Sequence, residues 1–209
     1  MDTHDTGPVT IGVLERARAS FARRSWCDAY EQFATADAAT PLDLDDLERL
    51  ALAAYLSGAD DESTLVWTRA HHEAIRRNDP QRAARNAFLI GSGSMFRGET
   101  APAMGWFARG GRVIEGCDCA EHAWLLTWKA FAQMWGADPE RAQPVFAEGL
   151  VVGERFDDSD LRRCRVSARA YVWSCRAKAA PVWLCWMRSW LGSPLARCRR
   201  CTPEWPTAQ

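Results

Sequence analysis

Apolar and polar positions recur along this chain with the period of a helix. Leu47, Leu50, Ala51 and Ala54 fall at i, i+3, i+4 and i+7, one apolar stripe, and the segment Leu42-Asp43-Leu44-Asp45-Asp46-Leu47 supplies carboxylates to cap its start. Turn signals punctuate the chain at Ser57-Gly58-Ala59-Asp60, Asn78-Asp79-Pro80, Gly98-Glu99 and Gly136-Ala137-Asp138-Pro139. They leave segments of about 13 to 18 residues, the length of short packed helices. No β-branched run alternates at strand length, so the pattern predicts an all-α fold.

A repeat underlies the stripes. A small residue, a large apolar one four later and another small one three later occur as Ala29/Phe33/Ala36, Ser63/Trp67/Ala70, Ala103/Phe107/Gly110 and Ala142/Phe146/Gly149. Eight residues before each first member stand Phe21, Tyr55, Met95 and Met134. The first two sets are 34 residues apart, and the later steps are 40 and 39. Small residues let two helices approach closely while the large one fills the groove between them. A single helix pair cannot bury its apolar face, so neighbouring pairs are expected to stack.

The spacing resembles the tetratricopeptide repeat, with Pro41 standing where that repeat ends. The resemblance covers residues 10–162 and implies a right-handed stack of about four helix pairs, an α-solenoid. It departs from the family in lacking the Trp-x-x-Leu-Gly opening, and its first helix meets the second one residue early. The run from Asp45 to Gly58 is similar to the regulatory regions of LuxR-type bacterial transcription regulators. That likeness implies a sensor or interaction scaffold, not an enzyme, which receives a protein, a peptide or a small effector on its concave face. Repeat positions that would line this face are Asp46, Arg49, Asn86, Phe96, Arg97, Trp128 and Trp135. Trp124, Trp128 and Trp135 recur on one helical face, for which core packing is the default reading and an exposed aromatic groove for a peptide or small apolar effector the alternative.

Charge divides the chain. Residues 1–162 hold 17 Lys and Arg against 26 Asp and Glu, whereas residues 163–209 hold nine basic residues and the single acid Glu204. The same 47 residues carry five of the eleven tryptophans and five of the eight cysteines. Codons for both types begin TG, so a one-base slip near Arg163 would turn these positions aliphatic together and restore a helical pattern. The tail is therefore read as a frameshift product, basic and poorly ordered, on a truncated regulator that lacks its helix-turn-helix domain. A genuine Trp/Cys/Arg-rich extension on a self-standing repeat adaptor is the alternative. The first nine residues are expected to be disordered.

Other constellations point less far. Cys117, Cys119 and His122 offer three soft ligands and Cys198 and Cys201 two more, but a structural zinc site needs four. A metal protein or enzyme built on the first cluster is the rival from another functional class. Gly91-Ser92-Gly93-Ser94 lacks the preceding strand and the Gly-Lys-Ser/Thr ending of a phosphate loop. These four residues fit better inside a helix, where they admit a close neighbour. His71 and His72 project about 100° apart on a helix and read as a solvated face running on to Arg76 and Arg77. No cofactor is implied. The acidic start has no signal-peptide pattern and no stretch reaches the roughly 18 apolar residues of a membrane span, so a cytoplasmic protein is expected. Sequence-specific nucleic-acid binding is not expected of this chain.

Overall fold

A computed structural model of the chain describes residues 7–135 and 139–156. These form eight α-helices of 14 to 17 residues and no strand: α1 (Gly7–Ala22), α2 (Trp26–Ala39), α3 (Leu44–Ser57), α4 (Asp60–Arg76), α5 (Pro80–Phe96), α6 (Thr100–Val113), α7 (Glu121–Trp135) and α8 (Pro139–Arg155). The all-α expectation holds, and adjacent helices pack on one another. The expected tail over 163–209, with Cys198 and Cys201, lies outside the described residues. At the other end α1 begins at Gly7, inside the segment over 1–9 expected to be disordered.

The helix ends follow from local chemistry. Asp43 accepts a hydrogen bond from the Asp46 N–H at 2.8 Å and so starts α3, and Asp79 does the same for Arg82 at 3.1 Å ahead of Pro80 in α5. Gly58 closes α3 at φ 91°, a left-handed conformation that glycine adopts without a Cβ penalty.

The helices divide into two compact units, one formed by residues up to Ala74 and the other beginning at Ile75. In the first, α1 packs on α2 and α2 on α3, and Phe33, Leu44, Leu50, Leu56 and Trp67 are buried. Phe21 closes this core edge-on to Trp26, with ring centroids 5.3 Å apart. In the second, α5 pairs with α6 and α7 with α8 around Phe88, Phe107, Trp128 and Phe146.

All twelve members of the repeat sets lie on α2, α4, α6 and α8, and all twelve are buried. Their contacts match the packing role of small residues. Ser63 on α4 donates its hydroxyl to the Ala51 carbonyl of α3 at 2.8 Å. A Cβ at Gly110 would stand 3.3 Å from the Ala87 Cβ and 3.4 Å from the Ala84 carbonyl oxygen of α5. One at Gly149 would stand 3.4 Å from the Ala123 carbonyl oxygen of α7. In both pairs the third member of the set is where the second helix touches the backbone of the first. Gly91 and Ser92 lie inside α5 as expected: a Cβ at Gly91 would come within 2.5 Å of the Phe107 ring, and Ser92 donates to the Phe88 carbonyl oxygen at 2.8 Å.

Candidate functional site

The candidate binding residues separate by unit. In the first, Asp46 sits in the first turn of α3 with its side chain 1 % exposed. Two arginines surround it. Arg18 of α1 donates from Nε at 3.1 Å and from Nη2 at 2.5 Å, and Arg49, one turn along α3, donates from Nη1 at 2.5 Å. Burial alone would raise the Asp46 pKa, but the hydrogen bonds from both guanidiniums outweigh it and hold the carboxyl below its ordinary value. The arginine side chains stay 45 % and 39 % exposed, so a buried carboxylate fixes two half-exposed cations. Asp37 of α2 is likewise held low, first by the hydrogen bond from Arg69 of α4 at 2.5 Å.

Arg18 lies 28 residues from Asp46, and no local motif in the sequence announces their pairing. The only signal available was that α1 and α3 are successive first helices of the repeat.

In the second unit Asn86 occupies on α5 the repeat position that Asp46 occupies on α3, nine residues before Met95 and Tyr55 respectively. It too is fully buried. Neither its Oδ1 nor its Nδ2 has a hydrogen-bond partner among the described residues. Phe96 ends α5 at 38 % exposure, and Arg97, its C-cap, pairs with Glu99 at 2.9 Å. Trp128 is not on a surface. At 2 % exposure it stacks on Phe107 with centroids 5.3 Å apart and planes 19° apart, and Phe96 meets it edge-on at 5.7 Å. The expected groove-lining tryptophan is thus a core residue, because α5 and α6 cover the face of α7 that carries it. Trp135 ends α7, and its side chain lies outside the described residues.

The sulfur and imidazole cluster lies between α6 and α7. His122 brings Nε2 to the Ile114 carbonyl oxygen at 3.1 Å and to the Cys117 carbonyl oxygen at 2.9 Å. Both partners are acceptors, so Nε2 carries the proton and the ring ties off the end of α6. Cys119 is buried, which is the first cause of its raised pKa, and a raised pKa works against the thiolate that metal binding or nucleophilic attack requires. Among the described residues no three His, Cys, Asp or Glu side chains are grouped to hold a metal ion. The solvated-face reading of the histidine pair also needs correction. His71 is fully buried, its ring against the exposed His72 at a centroid distance of 5.4 Å.

No helix among the described residues is long and apolar enough to cross a membrane. The chain matches no family model, and no curated protein matches it.

Proposed function

We propose that this chain is a tetratricopeptide-like scaffold, a right-handed stack of four helix pairs that senses an effector or binds a protein partner. By its likeness to LuxR-type regulators it is the regulatory part of such a protein, with a frameshifted tail over 163–209. One observation carries this reading: the small, large, small sets recur on every second helix, and Gly110 and Gly149 stand at the same point of closest approach in successive pairs. Repeats of this kind bury their faces against their neighbours and leave an extended surface for partners. The Asp46 cluster supports the same reading, since Arg18 and Arg49 come from successive first helices and remain half exposed.

Sequencing the gene through codon 163 and translating the following bases in all frames tests the proposal. A frame encoding a helix-turn-helix domain is the expected result. Without one, the regulator reading is abandoned.

A further inference from the structure

The α6 and α7 helices leave a groove open between them. Its walls are Met104, Phe107, Ala108 and Gly111 on α6 against His122, Leu125, Leu126 and Lys129 on α7, each set spaced as one helical face. The cavity measures about 270 Å³. From His122 to Lys129 the face runs about 10 Å at the helical rise.

The groove exists because α6 presents small residues there. A Cβ at Gly110 would press on α5, so packing requires that glycine. No such demand acts at Gly111, where the nearest atom to an added Cβ is the Leu125 Cδ1 at 4.0 Å. Glycine is a poorer helix former than alanine, and at this position it leaves open space.

The lining is apolar except at two points. His122 has committed its Nε2 proton to the Ile114 and Cys117 carbonyl oxygens. Lys129 is exposed, and among the described residues it forms no ion pair or hydrogen bond. The groove therefore combines an apolar floor with a lysine in the last turn of its α7 wall that has no partner among the described residues, complementary to an apolar chain that ends in an anion.

We propose that the α6/α7 groove binds a small amphipathic carboxylate of medium chain length, its hydrocarbon body along Phe107, Ala108, Gly111 and Leu125 and its carboxylate at Lys129. This inference draws its biological meaning from the effector-sensing reading, but the groove is tested separately from the gene. Calorimetric titration of the full chain with decanoate, 1-decanol and decyltrimethylammonium is the experiment. Decanoate saturates a single site, and the cationic amphiphile binds at least about fivefold more weakly. Gly111→Leu fills the groove, keeps the helical circular dichroism of the parent and abolishes binding of decanoate and decanol alike. Lys129→Gln weakens decanoate about three- to fivefold and leaves decanol unchanged. Non-saturable decanoate uptake, equal binding of the cationic amphiphile, or full binding by Gly111→Leu overturns the site, and an unaffected Lys129→Gln overturns the carboxylate contact.

Discussion

Removing the Phe107 ring should cost about 3–5 kcal/mol, and the loss should be coupled to Gly91. The ring is 9 % exposed, stacked on Trp128 at 5.3 Å and tilted against Phe88 at 6.1 Å. Aromatic pairs of this kind add about 0.5–1.5 kcal/mol each beyond their buried area, so the upper half of the range is expected. Below the ring lies Gly91, where a Cβ would stand 2.5 Å from Phe107 Cε1 and 2.8 Å from Cδ1. Phe88 and Trp128 flank the ring and oppose its displacement. Gly91→Ala alone therefore incurs an overpacking loss of about 1–3 kcal/mol, against a helix-propensity gain of about 1 kcal/mol. In the Phe107→Ala background the obstruction is gone and only the gain remains, so the same substitution becomes stabilising. The coupling free energy is then about 1–3 kcal/mol. Urea denaturation of the parent, both single variants and the double variant, followed by far-ultraviolet circular dichroism, measures it. A loss below about 1 kcal/mol for Phe107→Ala, or a cycle additive within about 0.5 kcal/mol, would refute the packing described for α5 and α6.

Three further outcomes are expected. Asp46 and Asp37 have folded pKa values below the ordinary 3.8, so their stabilising effect is complete above that value and is lost as pH falls through the lower folded value. The urea midpoint should be level near neutral pH and fall in the acid range; Asp46→Asn should flatten the fall and cost about 1–2 kcal/mol at neutral pH, less than a fully buried pair because both arginines are part-exposed. Gly111→Ala should raise stability by up to about 1 kcal/mol in a thermal melt, since the added methyl meets nothing nearer than Leu125; a destabilised variant would show that the groove is closed. A chain ending at Arg162, with net charge −9, should not bind duplex DNA, and the full chain should bind at most weakly and without sequence preference through its basic tail, losing that binding as salt rises. Sequence-selective binding at physiological salt in a titration against promoter and unrelated duplexes would reveal an overlooked DNA-reading element.

Much of the architecture was legible in the sequence because its causes are local. A cap such as Asp43, a stop such as Gly58 and the stripe from Leu47 to Ala54 each act within a few residues, and α3 begins and ends where they predict. The twelve repeat positions were equally readable, since a small residue at a fixed helical spacing has one packing use and all twelve are buried. What a sequence does not state is which flank of a helix its neighbours cover. His71 was expected on a solvated face and Trp128 among the groove-lining positions, and the tertiary structure buries both. The same burial gave Asp46 and Asn86 opposite circumstances at one repeat position: Arg18, 28 residues away, reaches the carboxylate, and no described residue reaches the amide. The groove beside Lys129 follows from the same rule. The repeat marks Gly110 as a packing position, but nothing in it speaks for Gly111, and only the distance of Leu125 makes that neighbour an opening.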